Sequence, residues 1–390
     1  MKKIIKLKKS EEKRILNGHL WVFSNEVQDI RGEPSTGDIV EVRKNSGEFL
    51  GKGFFNPNSL IAIRLLTYLD EEIDFKFFQK RIEAAYSFRK KIYPNYKSYR
   101  VVYGESDFLP GLIVDKYNDY LSIQVYSAGV EKYLTLICDV LESVFKPKGI
   151  IERSESPLRE LEGLQPKKQI LRGKIEKVMI GENNLNFYVD LVEGQKTGFY
   201  FDQRENRLFI RKYSSGARVL DCFCNDGGFA LNAAVGGATE VLGIDISESA
   251  IKRAQYNATA NDLSDKCEFL KNDVFDFLKA AETKNDVYDL IILDPPSFTK
   301  SRKNISTAKV GYRNINSKAM KLLSPDGILA TASCSHHIDD LMFLDIINSS
   351  AKIAKRKVRL LEFHTAAPDH PILLSMPETK YLKFAIIEVL

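Results

Sequence analysis

The pattern of apolar and polar residues changes near residues 70 and 190, which predicts three domains, 1–70, 71–190 and 191–390. The first has short runs in which apolar and polar residues alternate between turn residues. We expect its strands at 19–23, 38–42, 50–55 and 60–66. A series of this kind predicts a small all-β unit, a barrel.

The second stretch mixes helical and strand patterns. Apolar residues at helical spacing predict helices over 75–91 and 130–144, and short apolar runs predict strands within 101–125 and at 149–152. A final hairpin is predicted over 177–189. These elements make a β-rich α+β domain, in which we find no chemical motif.

The third stretch alternates strand and helix. Apolar runs near Arg218, Thr239, Cys267, Tyr288 and Ile328 predict strands, and a helical pattern follows each one. Strands at 358–363 and 381–389 are joined by a Pro-bearing loop with no room for a crossover helix. This order predicts an α/β fold, with a mostly parallel doubly wound sheet that finishes in an antiparallel hairpin.

Composition narrows the class of protein. The 390 residues are 44% apolar and 28% charged, as in soluble globular proteins, and no apolar run is long enough to span a membrane. The N-terminus lacks the pattern of a signal peptide, so we expect a cytoplasmic protein with no membrane contact. Five scattered cysteines argue against disulfides, and Cys222 and Cys224 lack a second Cys or His pair, so we expect no metal.

Charge adds one open question. The net charge is only +5, but the first 14 residues hold seven basic and two acidic side chains. This basic lead is either a solvated tail or a nucleic-acid contact, and the sequence favours neither.

Acidic residues end three successive strands of the third domain: Asp221, Asp245 and Asp273. The first is followed by Asn225-Asp226-Gly227-Gly228 and not by the Gly-x-Gly-x-x-Gly of dinucleotide sites. A carboxylate at this turn repels a pyrophosphate but suits a ligand with an amino group and a sulfonium, as in S-adenosylmethionine.

The other two acidic residues fit the nucleoside part of that cofactor. Asp245, with Ile246 after it, ends the second strand where a carboxylate accepts both ribose hydroxyls. Asp273 is placed to accept the adenine amino group, and the amide of Val274 to donate to a ring nitrogen. Single acidic residues at strand ends are common helix N-caps, but three in register favour a cofactor site.

The fourth and fifth strands end in candidate catalytic groups. Asp294 is followed by Pro295 and Pro296, which fix the backbone, and by Phe298, which offers an aromatic face to a base. Such a sequence is frequent in enzymes that methylate nucleobases, and it is otherwise an ordinary turn. Cys334 follows the fifth strand and is either a nucleophile or a buried structural cysteine.

A thiol beside a carboxyl suits methylation of a pyrimidine at C5. This carbon is a poor nucleophile until a thiolate adds to C6, and a carboxyl group at N3 stabilises the charge that develops. Cys334 and Asp294 supply these two groups. The base that removes the C5 proton is not evident, and Ser335, His336 and water are the candidates.

Between Asp294 and Asp326 the chain has seven basic residues and no acidic one. This run favours a phosphate-bearing polymer as the substrate, with Tyr312 and Phe298 stacking on an unpaired nucleotide of RNA. The basic residues are Lys300, Arg302, Lys303, Lys309, Arg313, Lys318 and Lys321.

Several stretches, spread over all three domains, together resemble one protein family. They are Gly18-His-Leu-Trp-Val-Phe-Ser-Asn-Glu26, Gly53-Phe-Phe-Asn-Pro57, Gly104-Glu-Ser-Asp-Phe-Leu-Pro-Gly-Leu-Ile-Val-Asp115, the strip 193–207, the Asn225 turn, Asp294-Pro-Pro-Ser-Phe298 and Ser333-Cys-Ser335. The chain resembles the class I rRNA methyltransferases with a PUA domain, a central α+β domain and a Rossmann-like catalytic domain, typified by the large-subunit rRNA cytosine-C5 methyltransferase.

The resemblance implies roles for the strip 193–207, which by itself reads either as a linker or as a ligand lining. It implies that Cys334 is the nucleophile and that six residues of the strip help to close the cofactor pocket. These are Gln195, Thr197, Gly198, Phe199, Asp202 and Arg204. The chain departs from the pattern in two places. The broader RNA cytosine-C5 enzymes have a Cys after the proline of the fourth-strand motif, where this chain has Pro-Pro-Ser, and Asn225-Asp226 stands where relatives often have Tyr-Thr.

We therefore expect an S-adenosylmethionine-dependent enzyme that forms 5-methylcytosine in large-subunit rRNA. An rRNA guanine methyltransferase and a non-catalytic, RNA-binding ribosome assembly factor are the alternatives. The oligomeric state stays open, with a homodimer as one option.

Overall fold

The structure, a computed structural model, describes residues 2–194, 197–299 and 302–390, with Arg302 described by its backbone alone. Contacts divide the chain into two compact units. One comprises Met1–Ile180, Val189–Phe201 and Pro368–Thr379, and the other Gly181–Tyr188, Asp202–Ala367 and Lys380–Leu390. In the described ranges, none of the helices combines the length and apolar character needed to cross a bilayer.

The N-terminal part of the first unit is a six-stranded sheet of order β2-β6-β5-β4-β1-β3. Its elements are β1 (Ile4–Leu7), α1 (Lys13–Leu16), β2 (Trp21–Phe23), β3 (Val27–Arg31), β4 (Ile39–Arg43), β5 (Phe49–Phe55) and β6 (Ile61–Thr67). All four predicted strands are present, at slightly different bounds. Alternating apolar residues from these strands form a separate core.

The basic lead is not a solvated tail, because part of it is the strand β1. Ile5 and Leu7 are completely buried, and β1 pairs with β3 on one side and with β4 on the other. The Lys3 ammonium lies 2.5 Å from the carboxylate of Asp38, so this lysine is paired within the sheet. The nucleic-acid contact stays a prediction for the remaining basic residues.

The rest of the first unit contains a five-stranded sheet of order β11-β10-β9-β8-β7 with its own core. Its elements are α2 (Phe75–Ile92), β7 (Ser98–Tyr103), β8 (Leu112–Tyr117), β9 (Tyr120–Val125), α3 (Ala128–Lys132), α4 (Leu134–Phe145), β10 (Gly149–Ser154) and β11 (Lys167–Gly173). The helix predicted over 130–144 is interrupted at Tyr133, which separates α3 from α4. A hairpin of β12 (Val178–Glu182) and β13 (Leu185–Val189) follows.

The second unit has the predicted doubly wound α/β architecture. Its elements are α5 (Arg204–Ile210), β14 (Arg218–Cys222), α6 (Gly228–Val235), β15 (Glu240–Asp245), α7 (Glu248–Thr259), β16 (Cys267–Lys271), α8 (Val274–Lys284), β17 (Tyr288–Leu293), α9 (Ile305–Lys321), β18 (Leu323–Ser333), α10 (Asp340–Ala354), β19 (Val358–His364) and β20 (Lys383–Val389). The strand order is β16-β15-β14-β17-β18-β20-β19. β20 is antiparallel to both of its neighbours, β18 and β19, so the predicted C-terminal hairpin is confirmed. This is the Rossmann-like fold that the sequence predicts.

The predicted boundaries at residues 70 and 190 stay predictions. The contacts group the first two predicted domains into one unit, although each has its own sheet and core. The Pro-bearing loop between β19 and β20 was assigned to the third domain, but Pro368–Thr379 belongs to the first unit. Asp369 explains this, because its carboxylate accepts a hydrogen bond from the Arg100 amide (3.0 Å) and its carbonyl one from the Arg89 guanidinium (2.8 Å).

Candidate active site

Three acidic residues lie at the carboxyl ends of adjacent parallel strands. Asp221 is the second-last residue of β14, Asp245 ends β15, and Asp294 directly follows β17. Because β14 pairs with both β15 and β17 in parallel, all three carboxyl groups belong to one edge of the sheet. This edge is where doubly wound folds bind their ligands.

Asp221 is a buried carboxyl group that lacks a cation. It is completely buried, and one oxygen accepts a hydrogen bond from the Ala230 amide in the first turn of α6 (2.9 Å). Its other oxygen, Oδ1, has no partner within the described part of the chain. Burial raises the pKa of Asp221 well above its usual range, and the nearby Asp294 and Asp245 add to the effect. The amino group of S-adenosylmethionine fits this unpaired oxygen.

The turn after β14 brings its backbone onto Asp245. Phe223 and Asn225 have positive φ angles of 63° and 45°, and the Asn225 amide donates to Oδ2 of Asp245 at 3.0 Å. The Ser247 amide donates to the other oxygen at 2.8 Å. Each carboxylate oxygen can accept two hydrogen bonds and here accepts one, so one lone pair on each stays available for a ribose hydroxyl.

Two further predicted residues border this turn. Gly227 has φ 80°, and a Cβ there would lie 3.0 Å from the ring of Phe269, so both conformation and space require glycine. Ile246 is 67% exposed directly after Asp245, which suits an apolar contact with an adenine ring. Their contacts with the cofactor stay predictions.

Asp273 is the N-cap of α8, which is the ordinary role of a single acidic residue at a strand end. Its Oδ1 accepts from the amides of Phe275 (2.8 Å) and Asp276 (3.1 Å). Its second oxygen has no hydrogen bond within the described ranges, so capping leaves one acceptor for an adenine amino group. Val274 begins the helix and is buried. The adenine contact stays a prediction for both residues.

Asp294 is oriented by a glutamine that the sequence analysis missed. The Gln203 side-chain amide donates to Oδ1 of Asp294 at 2.9 Å, and Asn206 in turn donates to the Gln203 carbonyl oxygen at 2.6 Å. Gln203 and Asn206 are both buried. The signal was present, because Gln203 lies between Asp202 and Arg204 in the strip already chosen.

The two aromatic residues predicted to stack on a base, Phe298 and Tyr312, have different surroundings. Pro295 is buried, Pro296 is exposed, and the half-buried ring of Phe298 lies 4.6 Å from that of Tyr312. Tyr312, predicted to stack on a base, is completely buried in the core, so that assignment was wrong. The stacking role of Phe298 stays a prediction.

The Tyr312 hydroxyl instead connects the loop after β17 with the end of β18. It lies 3.0 Å from the Ser333 hydroxyl, which donates to it, and 2.9 Å from the Ser335 hydroxyl, which lies 2.9 Å from that of Ser297. Ser297 donates to the Thr299 carbonyl at 2.7 Å. Each hydroxyl has one proton, so the protons point from Ser333 through the chain toward Thr299.

Cys334 is the one cysteine of the five that is not buried. It follows Ser333, the last residue of β18, and β18 pairs in parallel with β17, with Leu293 opposite Thr331. The Cys334 thiol and the Asp294 carboxyl therefore belong to neighbouring strand ends. The alternative of a buried structural cysteine does not fit this exposure.

Lys383 is a second residue that the sequence analysis missed. It begins β20 opposite Ser333 and is only 3% exposed. Its ammonium donates to the carbonyls of Ser335 and Tyr381, each at 2.7 Å. Burial lowers its pKa to about 8, and the strongest opposing effect is attraction to Cys334.

The predicted residues of the strip 193–207 have different surroundings. Gln195 lies outside the described residues. In the first unit, the Thr197 hydroxyl donates to Asp115 (2.6 Å), the Phe199 amide donates to the Tyr117 hydroxyl (2.9 Å), and Gly198 has φ 136°. Their cofactor role stays a prediction.

In the second unit, Asp202 accepts a hydrogen bond from the Tyr381 hydroxyl. Arg204 is completely buried, and its Nε lies 3.1 Å from the carboxylate of Glu182, which also binds Arg207 at 2.6 Å. These contacts give Arg204 a structural role beside the predicted one.

The basic run is only partly described. Lys300 lies outside the described residues, and the side chain of Arg302 does as well. Lys303 is exposed and Arg313 half-buried, the latter on α9. No acidic residue separates them. Contact of this run with RNA stays a prediction.

The sheet order, the Asp221 oxygen that has no partner in the described ranges and the Asp245 carboxylate fit a class I methyltransferase that uses S-adenosylmethionine. Residues 168–373 match the S-adenosylmethionine-dependent methyltransferase family, and residues 5–68 match a PUA-like domain. A relative from Tolumonas auensis, named ribosomal RNA large subunit methyltransferase I, is 38% identical over all of both chains.

Solved structures agree in fold. A methyltransferase from Streptococcus mutans covers 100% of both chains with a TM-score of 0.85 at 22% identity, and a structure of a methyltransferase with S-adenosylhomocysteine matches with the same values. This chain belongs to the S-adenosylmethionine-dependent methyltransferases and, among them, to the ribosomal RNA large subunit methyltransferase I family.

Proposed function

We propose that this protein methylates C5 of a cytosine in large-subunit rRNA. The observation that carries the proposal is the partly exposed Cys334 beside the strand end that bears Asp294. A guanine methyltransferase has no need for a thiol at this position. The name of the Tolumonas auensis relative supports rRNA of the large subunit as the substrate, and the PUA-like domain supports an RNA.

In this proposal Cys334 acts as the nucleophile. Its thiolate forms a bond to C6, the C5–C6 π electrons move to C5, and Asp294 stabilises the charge that spreads to N3. Bound S-adenosylmethionine supplies the methyl group for C5. A base then removes the C5 proton, and the released electron pair restores the double bond and expels the thiolate.

The surroundings of the two groups support this division of roles. Gln203 donates a hydrogen bond to Oδ1 of Asp294 and so fixes the orientation of this carboxyl group. The hydroxyl chain through Tyr312 fixes Ser335, the neighbour of Cys334, against Ser297 of the fourth-strand loop. These contacts orient the carboxyl group and the residue next to the thiol before the substrate binds, which lowers the entropic cost of reaction.

The test is methyl transfer from tritiated S-adenosylmethionine to large-subunit rRNA from a strain that lacks the enzyme. We expect wild-type protein to produce 5-methylcytidine and Cys334→Ala to lose about a thousand-fold or more in rate. Cys267→Ala, which removes a cysteine from β16 at the opposite side of the sheet, is the matched control and should keep its activity. A methylated guanosine, or full activity in Cys334→Ala, refutes the proposal.

A trapping experiment tests the thiol directly. With RNA that contains 5-fluorocytidine, the C5 substituent cannot leave as a proton, so the enzyme should stay covalently attached to the RNA through Cys334. The complex should survive denaturing electrophoresis with wild-type protein and be absent with Cys334→Ala. An assembly factor without chemistry would give neither product nor complex.

A further inference from the structure

Lys383 is a buried cation at an edge of the sheet that otherwise carries carboxyl groups. Buried lysines are rare in proteins unless they are paired, and this one has no carboxylate within salt-bridge distance in the described part of the chain. Its hydrogen-bond partners are the backbone carbonyls of Ser335 and Tyr381. Carbonyl dipoles solvate an ammonium but do not neutralise it, so a net positive charge remains.

The geometry places this charge beside the proposed nucleophile. Lys383 pairs with Ser333 across the antiparallel ladder, and its Nζ lies 2.7 Å from the carbonyl oxygen of Ser335. Cys334 is the residue between these two. The backbone of Lys383 is thus paired with the residue before Cys334, and its ammonium is hydrogen-bonded to the residue after it.

We propose that Lys383 is a positioning residue that stabilises the negative charge of the Cys334 thiolate. A cation next to a thiol favours the thiolate, which is the form that attacks carbon. The meaning of this charge for catalysis depends on the proposed function, but the charge itself can be measured without RNA. The two histidines that follow, His336 and His337, are then not needed to form the thiolate.

The other charged groups around Lys383 do not replace Cys334 as its counter-charge. Asp340 pairs with Lys380 at the surface, and that pair is about one-third exposed on both sides. Asp339 uses its carboxylate to cap α10 through the Met342 amide at 2.8 Å. The attraction of Cys334 on the pKa of Lys383 also exceeds that of either aspartate.

The test is the rate of alkylation of Cys334 by iodoacetamide as a function of pH, followed by mass spectrometry of the peptide. The other four cysteines are buried, so the reaction is selective in folded protein. We expect the wild-type midpoint to lie below about 8.5, the value for a free thiol. A wild-type midpoint at or above that value overturns the proposal without any variant.

Variants then assign the effect to the charge. Lys383→Met and Lys383→Gln both remove it, while the amide of Gln keeps a donor near the two carbonyls. In both we expect the midpoint to rise by about one pH unit and the alkylation rate at pH 7 to fall about ten-fold. Lys383→Arg keeps the charge and should restore the wild-type profile. Lys380→Met, which removes the neighbouring surface cation, should shift the midpoint far less.

Two controls separate this result from a loss of folding. Calorimetric binding of S-adenosylhomocysteine shows whether each variant keeps its cofactor site, and Lys383→Gln takes the place of Lys383→Met if the latter does not fold. An unchanged midpoint in a folded neutral variant overturns the proposal. A raised midpoint combined with a product other than 5-methylcytidine would keep the Lys383 inference and refute the proposed function.

Discussion

The hydroxyl of Tyr312 offers the sharpest test of how the site is held together. Tyr312→Phe removes one oxygen and keeps a ring that packs 4.6 Å from that of Phe298 and 6.3 Å from that of Phe343. The Ser333 hydroxyl loses its acceptor and the Ser335 hydroxyl loses its donor, and both serines are completely buried. The change therefore isolates hydrogen bonding from packing.

The expected loss follows from those two bonds. A buried hydrogen bond contributes about 1 kcal/mol, and a polar group left without a partner costs somewhat more. We expect the free energy of unfolding of Tyr312→Phe to fall by about 2 to 3 kcal/mol, measured by urea denaturation. Methyl transfer should slow as well, because Ser335 adjoins Cys334, while binding of S-adenosylhomocysteine should change little.

A second buried tyrosine of the same unit, Tyr288 of β17, provides the matched control. Tyr288 is 1% exposed, and within the described residues its hydroxyl makes no hydrogen bond. Tyr288→Phe should therefore stay within about 0.5 kcal/mol of wild type. Equal losses in the two variants, or no loss in Tyr312→Phe, would show that the hydroxyl chain contributes nothing to stability.

Two further substitutions test the cofactor edge. Because the pKa of Asp221 is raised, the folded protein holds a proton that the unfolded chain releases above about pH 3.9, so this group lowers stability as the pH rises through its folded pKa. Asp221→Asn should weaken the binding of S-adenosylhomocysteine in calorimetry. It should nevertheless raise the melting temperature of cofactor-free protein at pH 8. A variant that has both weaker binding and a lower melting temperature would contradict the charge argument. Gly228→Ala should cost about 1 to 3 kcal/mol in urea unfolding, because its Cβ would lie 2.7 Å from Cδ of Arg207. Gly181→Ala, where a Cβ meets nothing within 4 Å, should be nearly neutral, and equal costs would refute the steric reason.

The alternation of strand and helix made the second unit predictable, because its parallel strands are nearly continuous apolar runs. The missed strands have a different character. In β1 and β11 lysines hide the pattern: β1 reads Ile-Ile-Lys-Leu and β11 begins Lys-Lys-Gln. Their position in a sheet depends on neighbours such as Asp38, which pairs with Lys3, and local composition does not contain that information.

The sequence around Tyr312 contained enough information to place it in the core. The basic residues around Tyr312 led to its assignment as an RNA contact, but Ala308, Tyr312, Ile315 and Ala319 recur at helical spacing and are all buried. Those positions define the face of α9 that packs on the sheet, so a tyrosine among them belongs to the core. Counting charge along a segment does not show which face carries it.

Lys383 could not be found in this way, and the topology explains why. In a parallel sheet the strand ends meet at the active edge, so sequence reasoning collects residues such as Asp221 and Asp294 that follow apolar runs. An antiparallel strand brings its first residue to that same edge. Because β20 is inserted between β18 and β19 in this orientation, Lys383 starts its strand where Ser333 ends its own. The single antiparallel strand thus supplies a cation to an edge at which the parallel strands supply carboxylates, and that contrast permits a thiolate there.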